Sequence, residues 1–553
     1  MAAPRSSVRG FEQLAFTVEL IMLKPPGTDA SYTGRPRDAS GDGSHQDHVL
    51  GDAGGAEGGG EPPGHDLATV AATGTQAAQA GTQPAPPDQP RGGQTPDGPL
   101  AMRVGIYGVS TQSGKAFLAD MLDLSVSVYG YARFTGHGQD EVLLMRNQGG
   151  IHVDRPKNNI GETYRFAALG DSKLGHDPEA LVDQSDLIIL CMPATFHEES
   201  AILLRDGLLK HKHRIPLLLS PSRTLATPYL WKILGEGYPI ISFQTSPYSA
   251  KTMKPGTVYI KRRKQAWLAT LEGDMPSWVE PRLRYLFPQI IYGKCPAANS
   301  LGNIGAVFHP AAYMLNLEAI QAAAAREQPY SFYIDGITDN PVVGPVVEEI
   351  DQIRLQIAQK IGCPVFGLRD NPREEEWRSI MREFDEIGRP TPGAVSAIRL
   401  QRANVLQSTH DAVVSAQHWL QYTYGVERIP GESLASAIGR TGNYRETSFP
   451  QRRYADEDIP TGLVPFESLA KRLAIPHGPI TRVINLYKEK LGINARKIGR
   501  SLKEFTTDYL VSYLCGSTTG AACGPTGSSA GRGSEGANQS HRPAAVSGAG
   551  STS

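Results

Sequence analysis

The sequence has few cysteines, no long uncharged apolar run and almost no net charge. None of its five cysteines forms a C-x-x-C pair or joins a group of suitably spaced histidines, so we expect neither a zinc site nor a disulfide framework. Lysine and arginine number 55 against 56 aspartates and glutamates. This balance argues against nucleic acid or an anionic membrane as the main partner. The sequence therefore predicts a metal-free protein of a reducing compartment, the cytoplasm.

Large apolar side chains are nearly absent from two long stretches of the 553 residues. Residues 41–100 hold 14 glycines and eight prolines but no aromatic residue, and Val546 is the only large aliphatic residue in 516–553. Such stretches cannot bury enough apolar area to offset chain entropy. We expect a disordered extension over residues 1–101 and a disordered tail over residues 516–553.

The extreme N-terminus is mildly apolar between Leu14 and Leu23. Glu19 lies inside this stretch, and a signal sequence or membrane span needs a longer run without charge. An organelle transit peptide is an alternative, but such peptides are poor in acidic residues and Glu12 is also present. A plain disordered extension is the favoured interpretation.

The predicted folded part opens with a strand, a turn of small residues and a helix. Residues 102–107 are apolar apart from Arg103, and helical spacing follows from residue 115. Gly108, Ser110, Ser113 and Gly114 form the turn between them, where a dinucleotide could approach the backbone and the positive end of the helix. Ser110 and Ser113 stand where the G-x-G-x-x-G fingerprint has its second and third glycines. The fit is incomplete, and a plain strand–helix turn is the alternative.

A second apolar run, residues 125–132, ends at Arg133. An acidic side chain near this place would bind the ribose hydroxyls of NAD, whereas an arginine can pair with the 2′-phosphate of NADP. We therefore expect NADP(H) to be favoured over NAD(H). A solvated loop arginine is the alternative interpretation.

The remaining patterns divide the chain into two folded domains. Apolar runs at residues 185–194, 215–220 and 238–243 alternate with helical segments, which predicts an α/β Rossmann-like, doubly wound parallel sheet over residues 102–300. The basic run at residues 261–264 follows a strand-like stretch, and a strand end or hairpin is favoured over a phosphate site. Helical spacing then predicts an all-α domain over residues 301–515, with helices near residues 309–320, 346–361, 394–406, 463–473 and 480–491.

Three ordered stretches resemble the opine dehydrogenases, the octopine/nopaline dehydrogenase family. They are DLIILCMPATFHEESA at residues 186–201, NSLGNIGAVFHP at residues 299–310, and RYADEDIPTGLVP at residues 453–465. The resemblance covers about residues 102–515. It implies a nucleotide domain followed by a helical substrate domain of the 6-phosphogluconate dehydrogenase-like kind, with the substrate site in the cleft between them.

The resemblance also implies a reaction and its residues. An amino acid amine and a 2-oxo acid condense to an imine, which NAD(P)H reduces. His309 is implied as the general acid/base, Asp458 as its carboxylate partner and Arg453 as a clamp on a substrate carboxylate. These residue types suit the chemistry, because histidine exchanges protons near neutral pH and a guanidinium holds a carboxylate through two hydrogen bonds. Arg452 and Arg445 compete with Arg453 for the clamp.

Further contacts are expected on both sides of the cleft. The strand-to-helix turn with Pro193 and Ala194 joins the Gly108 turn as a predicted cofactor contact. Asn303 and Asn316 are candidate substrate-binding residues, with helix capping as the alternative. Pro310 is expected in the first turn of a helix, where proline is tolerated.

Other functions stay open. A reductase of plain 2-oxo acids and an opine-type metallophore synthase are the enzymatic alternatives. A nucleotide-binding protein without turnover is the alternative from a different class, and the serines at 110 and 113 are the reason for it. We expect small-molecule partners only, no nucleic acid or membrane, and a monomer or homodimer.

Overall fold

The computed structural model describes residues 102–154, 164–264, 267–293, 295–363, 365, 426, 432–442 and 451–516. The predicted N-terminal extension, the predicted C-terminal tail beyond Gly516, the predicted helix at residues 394–406 and Arg445 lie outside these residues. Within the described ranges, no helix has both the length and the apolar character that a membrane span needs.

Strands lie in the first half of the described chain. They are β1 (Arg103–Tyr107), β2 (Ser127–Tyr131), β3 (Gly150–Asp154), β4 (Tyr164–Ala168), β5 (Lys173–Gly175), β6 (Leu187–Leu190), β7 (Leu217–Leu219), β8 (Ile240–Phe243), β9 (Tyr248–Lys251), β10 (Thr257–Arg263), β11 (Trp267–Glu272) and β12 (Ile290–Tyr292).

Helices accompany these strands and continue through the second half. They are α1 (Gln112–Asp123), α2 (Gly136–Asn147), α3 (Pro178–Asp183), α4 (His197–Lys210), α5 (Ala226–Leu234), α6 (Val279–Leu286), α7 (Pro296–Ser300), α8 (Ile304–Met314), α9 (Leu317–Ala325), α10 (Val343–Ile361), α11 (Leu434–Arg440), α12 (Arg453–Asp456), α13 (Val464–Arg472), α14 (Gly478–Leu491), α15 (Ala495–Ile498) and α16 (Thr507–Leu514). Short π-helical turns cover Ile334–Thr338 and Ile459–Leu463.

The larger sheet has the order β12-β11-β8-β7-β6-β1-β2-β5. Its strands are parallel except β11 and β12, which run opposite to the others. The chain leaves β1 towards β2 and β5 on one side and later resumes at β6 on the other. The central strands are apolar and buried, because helices cover both faces of a parallel sheet. The predicted Rossmann-like fold is confirmed, and its switch point lies between β1 and β6.

A smaller sheet, which the sequence patterns did not predict, has the order β4-β3-β10-β9. The basic run at residues 261–264 lies at the end of β10, which pairs with β9 as an antiparallel hairpin. Arg263 forms an ion pair with Asp120 of α1, so this part of the basic run serves packing.

The described second half is helical, as predicted, but the position of Pro310 is not the predicted one. Pro310 lies inside α8, which begins at Ile304. The side chain of Asn303 caps the helix by accepting the amide hydrogen of Ala306, and this cap sets the earlier start. Because proline has no amide hydrogen, Pro310 cannot donate the usual backbone hydrogen bond within α8. The predicted single helix is in fact two, since α9 begins separately at Leu317.

The chain passes from the sheet to the helices in a few residues. Strand β12 ends at Tyr292 and α7 begins at Pro296. The boundary between residues 300 and 301 stays a prediction, since residues from both halves pack in one continuous core.

Candidate active site

A histidine and a carboxylate meet between α8 and the turn that follows α12. The Nδ1 atom of His309 lies 2.7 Å from Oδ2 of Asp458. The Asp458 side chain is 1% exposed and that of His309 is 18% exposed. A carboxylate that accepts the Nδ1 hydrogen fixes the ring and leaves Nε2 as the nitrogen that can exchange a proton.

Glycines allow the two segments to approach. A Cβ atom on Gly305 would lie 3.1 Å from Oδ1 of Asp458 and 2.5 Å from a guanidinium nitrogen of Arg223. A Cβ atom on Gly462 would lie 2.3 Å from the Cβ of Ala306. The glycine of the Ile-Pro-Thr-Gly-Leu stretch therefore serves the close contact between α8 and the segment that carries Asp458.

Arg223, which the sequence patterns did not single out, compensates the charge of this segment. It follows β7, has a φ of 62° and is 13% exposed. Its guanidinium lies 3.0 Å from Glu457 and 3.1 Å from Asp458, and it donates to the Asn303 side chain at 3.3 Å. Two adjacent buried carboxylates need such a partner. A single arginine after a strand has no distinctive sequence pattern.

Glu457 connects this cluster to the nucleotide domain. Its Oε1 accepts the backbone amide hydrogen of Ala194 at 3.1 Å, just after β6. Burial alone would raise the pKa of Glu457, but the charges of Arg223 and Arg453 and the Ala194 hydrogen bond hold it well below its usual range. Glu457 is therefore a fixed negative charge at the junction.

The candidate arginines of the third motif differ in their contacts. Arg452 is engaged with Asp456, at 3.1 Å. Arg453 is exposed, and among the described residues it forms no ion pair within 4 Å; its guanidinium carbon lies 5.8 Å from the ring centre of Tyr454. This contrast favours Arg453 over Arg452 as a group that could hold a ligand carboxylate.

Aromatic side chains surround the imidazole, and sequence reasoning missed them. Tyr454 stacks on His309 with the ring centres 4.2 Å apart, and the ring of Phe332 lies at 6.1 Å. The hydroxyl of Tyr333 is 3.5 Å from Nε2 of His309. Tyr454 lies inside the third motif, whereas Tyr333 lies outside all three, and the contacts of both depend on packing that periodicity does not reveal.

The two candidate asparagines are both buried and both bonded within the protein. Besides capping α8, Asn303 donates to Thr224 at 3.2 Å. Asn316 donates to the backbone carbonyls of Ala312 and Gly336 at 2.8 and 2.9 Å. Both amide hydrogens of Asn316 are thus bonded within the protein, which favours a structural role for Asn316 over substrate binding.

The turn between β1 and α1 is tight despite its serines. Gly108 has a φ of 93°, and its amide hydrogen bonds to the carbonyl of Tyr131 at 2.8 Å. A Cβ on Gly114 would lie only 2.1 Å from the carbonyl oxygen of Gly108. The close-packing glycine is therefore Gly114 rather than residue 113, and Ser113 instead contacts Ser246 at 3.0 Å.

Other predicted cofactor residues lie at the same edge of the sheet. Arg133 follows β2, forms an ion pair with Glu199 at 3.1 Å and lies over the ring of Phe196. Pro193 and Ala194 follow β6. The carboxyl ends of β1, β2 and β6 thus present the predicted set together, while Arg133 already has an acidic partner.

Arg500 ties this edge to the helical half. It is 3% exposed, bonds to the carbonyls of Ala194, Ser222 and Thr224 at 3.0 to 3.1 Å, and pairs with Glu198. The nearby His197 is fully buried, and burial together with the charge of Arg500 lowers its pKa to about 3. His197 is therefore neutral near pH 7 and differs in kind from His309.

Over the described residues, no three His, Cys, Asp or Glu side chains are grouped to hold a metal.

Comparison with known proteins agrees with this architecture. Residues 296–491 match the family model described as NAD/NADP octopine/nopaline dehydrogenase, alpha-helical domain. An opine dehydrogenase of Arthrobacter sp. (strain 1C) is 24% identical over 331 residues, which are 58% of this chain and 76% of that protein. These two matches confirm the predicted resemblance to the opine dehydrogenases.

A solved structure of octopine dehydrogenase with NADH and pyruvate has the same fold. It is 16% identical, with a TM-score of 0.51, and the match covers 74% of this chain and 98% of that one. At this identity the similarity concerns the fold alone.

Proposed function

We propose that this protein is an NAD(P)H-dependent opine dehydrogenase, which condenses an amino acid with a 2-oxo acid and reduces the imine. The match to the octopine/nopaline dehydrogenase model and the similarity to an opine dehydrogenase support an oxidoreductase that uses a nicotinamide nucleotide. The observation that carries the proposal is the 2.7 Å contact between His309 and Asp458, beside the exposed Arg453 and the nucleotide edge of the sheet. In this proposal a proton donor, an arginine that holds a substrate carboxylate and the edge of the sheet that binds the nucleotide lie side by side.

The residues at the nucleotide edge fit the cofactor. The positive φ of Gly108 and the absence of room for a side chain at Gly114 keep the turn tight against the helix start. The crevice outside β1 and β6 is where doubly wound sheets bind dinucleotides. The bound nucleotide supplies the hydride for reduction of the imine carbon.

His309 handles the protons of the condensation. Carbinolamine formation and loss of water both need a group that gives and takes a proton near neutral pH, and Nε2 is the available atom. Asp458 accepts from Nδ1, keeps the ring in one orientation and stabilises its protonated form. Arg223 and Glu457 hold that carboxylate in place.

Arg453 orients the substrate in this proposal. A planar guanidinium can bind the carboxylate of the 2-oxo acid through two hydrogen bonds and so fix the carbonyl carbon relative to the hydride donor. Stacking of Tyr454 on His309, next to Arg453 in the chain, keeps clamp and base adjacent. The CH–NH group of the product is then the bond that the reverse reaction oxidises.

For the cofactor we propose a preference for NADP(H) over NAD(H), carried by Arg133. The 2′-phosphate would have to compete with Glu199 for the guanidinium, and Glu199 is half exposed. Substitution Arg133→Ala is expected to reduce the ratio of kcat/KM for NADPH over NADH about tenfold. An unchanged ratio would exclude Arg133 as the selecting residue.

The function itself is tested by following oxidation of NADPH, and separately of NADH, with pyruvate or 2-oxoglutarate and a pool of amino acids. Oxidation that requires both substrates, and falls in Asp458→Asn, is the expected result. Oxidation without any amine would indicate a plain 2-oxo acid reductase. Nucleotide binding without oxidation would favour a larger amine, as in a metallophore synthase, or the non-catalytic alternative.

Assembly and location belong to the proposal as well. We propose a cytoplasmic monomer or homodimer with small-molecule partners only. Light scattering during size-exclusion chromatography of the full chain distinguishes these two states from larger assemblies, and fractionation of cells tests the compartment.

A further inference from the structure

Three thiols from distant parts of the chain meet in the helical half. Cys295 precedes α7, Cys363 follows α10, and Cys515 follows α16. The Sγ atoms of Cys363 and Cys515 are 3.2 Å apart, although the residues are separated by 152 positions. Cys295 lies next to this pair. It hydrogen-bonds to Cys363, and its Cβ would lie 3.8 Å from a Cβ atom added to Gly516.

This arrangement differs from that of an ordinary core cysteine. Cys191 in β6 is buried among apolar residues and acts as a small hydrophobic side chain. The Cys363 and Cys515 sulfurs would need to approach by only about 1.2 Å to reach the ~2.05 Å of a disulfide bond. The spacing along the sequence gave no sign of this pair, because only the fold brings α10 and α16 together.

The three thiols are also unequal. Cys295 is the most accessible, at 9% exposure against 6% for Cys515 and 2% for Cys363. A hydrogen bond from the Cys363 thiol, helped by the backbone amides of Ala298 and Ala297, lowers the pKa of Cys295 against the opposing effect of burial. Of the three thiols, Cys295 is thus the one whose ionisation is favoured, and the thiolate is the reactive form.

We propose that these cysteines are an oxidation site, at which hydrogen peroxide converts Cys363 and Cys515 to a disulfide and Cys295 is the thiol that reacts first. The proposal is independent of the dehydrogenase chemistry. The cluster lies where α7 begins and where α10 and α16 end, and the disulfide would join the segments that directly follow α10 and α16.

The chemistry balances in three steps. The Cys295 thiolate attacks one peroxide oxygen, the O–O bond breaks, and a sulfenic acid and hydroxide result. The sulfur of Cys363 then displaces the sulfenic hydroxyl as water and forms a Cys295–Cys363 disulfide. Cys515 attacks the Cys363 sulfur, and Cys295 leaves as a thiolate. In sum, two thiols and one hydrogen peroxide give one disulfide and two waters.

The first experiment uses the full chain. The reduced protein is treated with limiting hydrogen peroxide, quenched in acid, alkylated with iodoacetamide and digested without reductant for mass spectrometry. We expect a linked peptide joining Cys363 to Cys515 that dithiothreitol removes, while Cys191 and Cys523 are alkylated. Absence of this peptide, or equal linkage through Cys191 or Cys523, would overturn the proposal.

Variants then test the order of events. Cys295→Ser should slow disulfide formation about tenfold or more, and Cys515→Ser should stop the reaction at a Cys295–Cys363 peptide. Cys523→Ser is the matched control and should behave as the wild type. A wild-type rate in Cys295→Ser would refute its role as the first thiol. Because the linked peptide is measured in the wild type, the disulfide is tested even if a variant folds poorly.

Discussion

The two halves of the candidate active site use different parts of the chain. In the helical half the candidate functional groups are side chains: the imidazole of His309 lies 2.7 Å from the carboxylate of Asp458, and Arg453 is exposed. In the nucleotide half the candidate groups are backbone atoms, held by the tight turn at Gly108 and by a contact that leaves no room for a side chain at Gly114. A site made of side chains requires particular residue types at particular positions, so it can be recognised as a sequence motif. A backbone turn requires only a certain path of the chain, so its glycines can stand at neighbouring positions.

Charge separates the two halves as well. Glu457 and Asp458 of the helical half lie against Arg223, which follows β7, and the partly exposed His309 pairs with Asp458. The nucleotide half holds His197 fully buried and neutral near pH 7. Two histidines in recognised motifs thus have opposite environments, and experiments on each half should give different signatures.

The largest expected effect is on catalysis. His309→Gln should lower kcat about 10³-fold while the dissociation constant for NADPH stays within about twofold, because proton transfer is lost and the cofactor turn is untouched. The measurement is steady-state NADPH oxidation together with fluorescence titration of the nucleotide. The substitution His211→Gln, at a partly exposed histidine of the nucleotide half, is the control and should leave both quantities unchanged.

This comparison would fail if the loss in His309→Gln appeared in nucleotide binding rather than in turnover. In that case the two halves would not be separable, and the side-chain cluster would have to support the cofactor turn directly.

The next effect concerns the charge cluster. Arg223→Met removes the guanidinium that Glu457 and Asp458 share and should lower the free energy of unfolding by about 3 kcal/mol, because the buried negative charge is then under-compensated. Denaturant unfolding at neutral pH measures it. Arg205→Met removes an exposed pair with Asp206 and should cost less than about 1 kcal/mol. Similar losses in both variants would contradict a buried network.

The same division explains what the sequence could predict. The central strands β1, β2, β6, β7 and β8 and the helical second half followed from apolar periodicity, whereas the pairing of His309 with Asp458 was implied by the resemblance of two separate motifs to a known family. Arg223, Tyr333 and Tyr454 were missed because their contacts arise only when segments distant in sequence pack together. The small sheet was missed because β3, β4 and β9 are short and contain polar residues, and pairing between them has no local signal.

The buried histidine of the nucleotide half predicts a pH effect. Since the pKa of His197 is lowered from 6.5 to about 3, the unfolded chain binds the proton more readily between these values. The contribution of His197 to the free energy of unfolding is therefore complete above pH 6.5 and decreases as the pH falls, by about 2 kcal/mol at pH 5. Glu457, with its depressed pKa, loses its contribution only below about pH 4.5.

Denaturant unfolding between pH 7 and 5 checks this effect by its slope. His197→Phe keeps a ring but cannot titrate, so its stability should change less over this range than that of the wild type, whatever its absolute value. Equal slopes for the two proteins would show that His197 is not the buried neutral group.

The smallest effect tests the backbone half directly. In Gly114→Ala the new Cβ would lie 2.1 Å from the carbonyl oxygen of Gly108, so the turn must move away from the helix start. We expect the dissociation constant for NADPH to rise about tenfold with little change in kcat at saturating cofactor. Gly136→Ala at the start of α2 is the matched control, because nothing lies within 4 Å of its new Cβ. If Ser113→Ala weakened binding as much as Gly114→Ala, the fingerprint position rather than the packing position would define the turn, and the backbone argument would be wrong.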